Sequence, residues 1–202
     1  MNAVSFALFG TLVDADLPAD PATAVGDELR DRGVDVPDDW ADAYGETHVD
    51  APTGAEIPLP AHVSRALASR GVDAPGNAAR RAVVAAFDPA VRTREGAVEA
   101  VARAREGGPV GLLANCAVPE LVGRVLVRSA LARDDFDAVV TSVACGWRKP
   151  DRRAFERVAD ALGVDVVGLT HVGSDGSVDG AVADIGGRYR DASEAISADR
   201  DP

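Results

Sequence analysis

Four short apolar runs constrain this chain more than anything else in it: AVSFALF (3–9), VGLLA (110–114), DAVVTSV (137–143) and DVVGLTHV (165–172). Runs of this length bounded by turn residues read as strands buried on both faces. Helical patterns separate the last three. Residues 94–105 carry Ala97, Val98, Val101 and Ala102 on one stripe, and Gly107-Gly108-Pro109 stops that helix. Residues 119–132 pair Leu121 with Val122, Val125 with Leu126 and Ser129 with Ala130; residues 151–162 align Ala154, Phe155, Val158, Ala159 and Leu162. Strand and helix alternating at this tempo predict right-handed crossovers in a parallel sheet, hence an α/β, Rossmann-like three-layer core. Ligands of such sheets sit beyond the carboxyl ends of the strands. The positions to examine are therefore 7–11, 114–116, 145–150 and 173–179.

Between the first and second runs the texture changes. Pro18, Pro21, Pro37, Pro52, Pro58, Pro60, Pro75 and Pro89 punctuate short helical patterns, and no strong strand is visible. Pro37 followed by DDWADAYGE reads as a helix start, and 61–70 places Val63, Ala66 and Leu67 on one stripe. The chain is thus expected to divide into a core, 1–16 with 90–202, and a small helical cap, 17–89, inserted after the first strand. Asp14 is expected to cap the start of that insertion. Trp40 and Tyr44, four apart on one helix, read as its packing stripe or as a partner contact; packing is the better reading because aromatics are only 4% of the chain.

Charge narrows the partners. A formal net charge of -12 on 202 residues repels nucleic-acid backbones and anionic lipid, and no arginine cluster reverses this locally. Among 21 basic residues Lys149 is the single lysine, and aspartate dominates the 33 acids. That composition suits a salt-loaded cytoplasm, where screening tolerates self-repulsion, or alternatively a GC-rich genome. Two cysteines, Cys116 and Cys145, make neither a disulfide framework nor a metal cluster. No window approaches the length of a membrane span, and MNAVSFALFG lacks the positive start of a signal peptide. A cytoplasmic monomer or homodimer is expected.

The strand ends carry a specific resemblance. FALFGTLVD, VGLLANCAVPE, GWRKPDRRAFERVADALGV and THVGSDGSVDGAVADIGG, in that order, resemble the four motifs of the haloacid dehalogenase-like hydrolases. The resemblance covers most of the chain. It implies an aspartate nucleophile at the first strand end, a hydroxyl from the second motif, a lysine from the third, and an acid in the fourth that holds Mg²⁺ with the nucleophile.

Measured against that pattern, Ala7 stands at the nucleophile position, Phe9 two residues on, Ala114 at the second-motif hydroxyl and Ser174 at the first acid of the fourth motif. Asn115, Lys149 and Asp179 match, and Asp175 is a nearby carboxylate; Gly180 and Val182 depart from the usual ending. A methyl group has no lone pair to attack phosphorus or carbon. The resemblance therefore implies a vestigial site of Ala7, Phe9, Thr11, Ala114, Asn115, Lys149 and Ser174. Gly10, Thr11, Asn115 and Lys149, with the amides of residues 9, 10 and 12, are expected to cradle an anion without turnover. No cofactor is expected; Mg²⁺ would enter only through Asp175 and Asp179. Two functions follow: a binding protein for a small anionic metabolite or a protein partner, or an atypical hydrolase of a phosphorylated or halogenated metabolite with a substitute nucleophile. Asp14, Cys116, Cys145, Asp175 and His171 are the candidates for that nucleophile or base, with the two cysteines facing across the cleft. Trp147 and Arg148 are expected to edge the pocket.

Overall fold

The computed structural model describes residues 2–197; Met1 and residues 198–202, which the sequence reading assigned to the core, lie outside the described residues. The chain runs β1 (Ala3–Phe6), β2 (Val13–Ala15), α1 (Pro21–Asp31), α2 (Trp40–Gly45), α3 (Leu59–Ser69), α4 (Ala78–Ala86) and β3 (Val91–Thr93). It continues through α5 (Ala97–Gly107), β4 (Val110–Ala114), α6 (Leu121–Arg128), β5 (Ala138–Thr141), the one-turn α7 (Ser142–Cys145) and α8 (Arg152–Ala161). β6 (Leu169–Gly173), β7 (Arg188–Asp191) and α9 (Ala192–Ser197) complete it.

Five strands form one sheet in the order β5-β4-β1-β6-β7. Every neighbouring pair is parallel. Helices cover both faces, as the alternating pattern predicts. Strand pleating sends Phe6, Leu112 and Val172 into one apolar cluster, shared with α5, α6 and the helical insertion. Ala3, Leu113 and Leu169 enter the other, beneath α8. Gly111 of β4 permits that second contact: a Cβ there would lie 3.0 Å from both Val158 and Leu162.

The sequence reading overran most elements. The apolar run 137–143 stops being strand at Thr141, because its hydroxyl accepts from the amide of Ala144 and opens α7. Residues 166–168 form a 3₁₀ turn, so β6 starts only at Leu169. Two features escaped the reading. β7 (RYRD) is a polar edge strand half exposed along its length, and β2 and β3, three residues each, make a small antiparallel ribbon.

That ribbon carries the helical insertion. Asp14 lies within β2, ion-paired with Arg92 and Arg94, and so does not cap the insertion; Asp20 does, accepting from the amide of Thr23 ahead of Pro21 at the first helical position. Trp40 wedges between α1 and α2, its indole donating to the Ala22 carbonyl at 2.8 Å and its ring against Gly26, where a Cβ would be 2.9 Å away. Tyr44 packs edge-on to Trp40, centroids 5.6 Å apart. The two aromatics hold the insertion together.

The middle of the insertion is stitched to the core. Ala55 bridges Trp147 antiparallel, Arg148 donates its amide to the Gly54 carbonyl, Glu56 to Gly146 and Leu59 to Ala117, each at 2.9 Å. Ser142 adds a side-chain bond to the Glu56 carboxylate at 2.6 Å. The Arg153 guanidinium stacks on the Trp147 ring. Trp147 and Arg148 are therefore part of this seam, and neither lines the cleft beside Ala7, Ala114 and Lys149.

Candidate functional site

The first strand end turns sharply. Ala7 donates its amide to Val172, after which the amides of Leu12 and Val13 return to the Leu8 carbonyl and that of Gly10 goes to Val13. Gly10 has φ +70, a left-handed position that glycine takes without a steric cost. The amides of residues 10 and 12 are thus consumed inside the turn. Thr11 is buried and donates to Ser174 Oγ at 3.2 Å.

The second and third strand ends are joined by one amide side chain. Asn115 accepts from the Lys149 backbone amide at 2.8 Å and donates to the Lys149 carbonyl at 2.9 Å. Asn115 thereby clamps the loop before α8. The expected anion cradle of Gly10, Thr11, Asn115 and Lys149 does not converge: the Gly10 and Leu12 amides close the turn, Gly10 and Thr11 line a different pocket from Asn115 and Lys149, and Lys149 faces a carboxylate.

That carboxylate is Asp179. Lys149 Nζ lies 2.6 Å from Asp179 Oδ1, and the two side chains are 3% and 5% exposed. His171 Nε2 approaches the same oxygen at 3.2 Å, and the amide of Asp175 donates to Asp179 Oδ2 at 3.1 Å. Gly173 makes room, since a Cβ there would overlap the Asp179 carboxylate. Burial alone would raise the Asp179 carboxyl, but the His171 hydrogen bond and the Lys149 ammonium hold it well below the usual range. Burial, joined by the Lys149 charge, pushes His171 down to about 4 and keeps it neutral at pH 7. Burial also lowers Lys149 against the opposing pull of Asp179.

Strand alternation explains why a histidine is there. Ser5 and His171 are register partners on β1 and β6, on the face beneath α8, with Ser5 Oγ 2.8 Å from His171 Nδ1 and the imidazole edge-on to Phe155. Nε2 lies 3.2 Å from both Asp179 Oδ1 and Lys149 Nζ, so the tautomer with Nε2–H donates to Asp179 while Nδ1 accepts from the Ser5 hydroxyl, and the other tautomer accepts from Lys149 and donates to Ser5. Ser5 escaped the sequence reading, which offered His171 as a candidate base without naming its partners. Period-two alternation of two neighbouring strands is the signal that pairs them.

Ala7 and Ala114 line the remaining cleft, with Phe9, Asn115, Ser174, Asp175, Lys149 and Asp179; its volume is about 150 Å³. Mg²⁺ asks for near-octahedral oxygen ligands, with carboxylates among them. The donors do not fit it. Ala7 supplies none, Asp179 is taken up by three donors, and Asp175 Oδ1 accepts from the amide and hydroxyl of Ser177. The expected pairing of Asp175 with Asp179 as metal ligands is thus replaced by local hydrogen bonds. Among the described residues no cluster of three His, Cys, Asp or Glu side chains is placed to hold a metal.

The cysteines do not face each other. Cys116 is buried in the cluster shared with the insertion and donates to the Val118 carbonyl, while Cys145 packs on the α8 side and donates to Trp147. Neither lines the cleft, and burial raises the Cys116 thiol.

No model of a protein family matches this sequence, and no curated protein resembles it by sequence. Solved structures do match in fold. An L-2-haloacid dehalogenase from Xanthobacter autotrophicus aligns with a TM-score of 0.57 at 20% identity, over 100% of this chain and 85% of its own. A 2-haloacid dehalogenase from Pseudomonas syringae pv. tomato aligns at 0.61 and 18%, over 94% and 85%. CbbY from Rhodobacter sphaeroides, solved with phosphate, aligns at 0.60 and 18% over the same shares. The chain has the haloacid dehalogenase-like fold.

Proposed function

We propose that this chain is a hydrolase-fold protein that no longer performs covalent hydrolysis and acts by binding, with another protein as its partner. The observation that carries the reading is the Lys149–Asp179 ion pair closed over a cleft lined by Ala7 and Ala114. Covalent hydrolysis on this fold needs a carboxylate whose lone pair attacks the substrate. Ala7 has none, and the cation that would meet a leaving phosphoryl oxygen is already neutralised. The Ala114 methyl cannot donate to that oxygen either.

A metabolite held between Ala7, Ala114 and Lys149 is disfavoured by size: a cleft of about 150 Å³ is well below the roughly 300–1,000 Å³ of small-molecule sites. The adjoining pocket beside Gly10, Thr11, Arg92, Arg94 and Ser174, about 460 Å³, lies within the range of such sites. Neither cysteine nor His171 lines the cleft, which leaves the substitute-nucleophile reading with only Ser174 and Asp175 there. The free thiols and acidic surface support a reducing cytoplasm. Among the described residues no helix is long and apolar enough to cross a membrane.

The test is hydrolysis of an aryl phosphate with Mg²⁺, and of 2-chloropropionate without it, by the natural protein, A7D and A7D/S174D in high-salt buffer. The natural protein is expected to be silent, with phosphatase activity emerging in the double variant. Turnover by the natural protein that is lost on S174A or D175N would overturn the proposal.

A further inference from the structure

Among the described residues a large concavity lies remote from the strand-end cleft. It is a groove of about 1070 Å³ along α6 and the 129–133 segment, closed at one side by the edge strand β5. α6 turns Leu121, Val122, Val125 and Leu126 inward, yet it also presents Val127 outward at 87% exposed. Ala130, Ala132 and Val139 extend that apolar floor. Solitary surface apolar residues are ordinary, whereas a contiguous patch with a polar rim marks an interaction site.

The rim has the sign opposite to the rest of the protein. Arg124, Arg128 and Arg133 border the groove against one carboxylate, Glu120. Glu120 is already paired with Arg80, and Arg124 and Arg128 share the single carboxylate of Asp88. Arg133 donates to the backbone carbonyl of Phe136. Arg80, Arg124, Arg128 and Arg133 at the rim thus meet the carboxylates of Glu120, Asp88 and Asp135, which leaves a small positive surplus on a chain whose formal net charge is -12. An apolar floor with a basic rim complements an amphipathic segment that is acidic on its polar face. Glu120 is the one described non-glycine residue at positive φ, +67, so the groove ends on a backbone position that is sparsely populated for glutamate.

We infer that the α6 groove docks an acidic, apolar-anchored segment of a partner protein. The inference names the surface for the binding role proposed above and rests on that reading, although no residue is shared with the cleft. A second copy fits less well, because two basic rims would face each other in a two-fold contact.

The experiment uses the full chain at the lowest salt that preserves its folded circular dichroism spectrum. The probe is a fluorescein-labelled synthetic helix with leucines on one face and glutamates on the other; the control carries lysines in place of the glutamates. The expected result is binding of the acidic helix only, weakened at least about tenfold by Val127→Asp and by Arg133→Glu, a loss of about 1.4 kcal/mol. Equal binding of both helices, no binding, or binding unchanged in both variants would overturn the inference. So would concentration-dependent dimerisation abolished by Val127→Asp, which would assign the groove to a second copy. The hydrolysis assay is independent: turnover would sink the non-catalytic reading, whereas a silent protein that ignores the acidic helix would sink only the groove.

Discussion

Asp179 gathers Lys149 at 2.6 Å through the same oxygen that His171 approaches at 3.2 Å, so the loop after β6 and the loop before α8 meet in one buried charge pair. Breaking such a pair from one side strands the other charge, whereas removing both is far less costly. Lys149→Met and Asp179→Asn are each expected to lower unfolding free energy by about 3–5 kcal/mol. The double variant should recover most of that loss. Urea unfolding of the three variants checks it, and single losses below about 1 kcal/mol would place the pair in water.

His171 sets a pH dependence of its own. Its folded value is depressed to about 4 from 6.5, so between those values the unfolded chain holds a proton that the folded chain refuses. Stability must fall as pH drops through that window, by about 3 kcal/mol at the full shift of 1.36 kcal/mol per unit. Asp179, depressed below 3.8, keeps its contribution throughout the window and loses it only under more acid conditions. His171→Gln should flatten the stability profile between pH 6.5 and 4.5. A profile that is unchanged by the substitution would mean the imidazole titrates like a free one.

Ser142 holds the seam between insertion and core, donating to Glu56 at 2.6 Å and accepting from the Cys116 amide at 2.7 Å. It is 1% exposed, so its removal leaves a buried donor without an acceptor. Ser142→Ala is expected to cost about 1–3 kcal/mol. Hydrogen exchange should quicken at the amides of Glu56, Leu59 and Arg148, and unaltered protection there would show that the backbone bonds suffice.

The two thiols should separate in a labelling experiment. Cys145 is half-buried, while Cys116 is buried with its thiol raised. An aryl disulfide reagent should modify Cys145 in the native protein and Cys116 only after unfolding, as read by mass spectrometry of the peptides. A native cross-link between them would contradict the positions described.

Much of this architecture was legible because buried parallel strands leave a plain signature. VGLLA is fully buried, and its apolar run marks β4 residue for residue. β7 was not legible: at a sheet edge RYRD buries only part of Tyr189 and Asp191, and no aliphatic run betrays it. At the site, the motifs located Lys149 and Asp179 side by side in space. They could not reveal that Asn115 clamps backbone and that the turn amides are consumed locally, since hydrogen-bond pairing depends on neighbours remote in sequence. Ser5, at 0% exposed in the middle of an apolar run, looks like a tolerated small residue until β6 is laid against it.

The helical insertion is fastened to the core at three separated places: the β2–β3 ribbon, the seam of residues 54–59, and Asp88 gripped by Arg124 and Arg128. With the Arg80–Glu120 pair added, these fastenings tie α1–α4 to the core along much of their length. Insertion and core are therefore expected to melt together, in a single calorimetric transition whose van't Hoff and measured enthalpies agree. In thermodynamic terms the chain is expected to behave as one cooperative unit, in which loosening one fastening is felt by the whole.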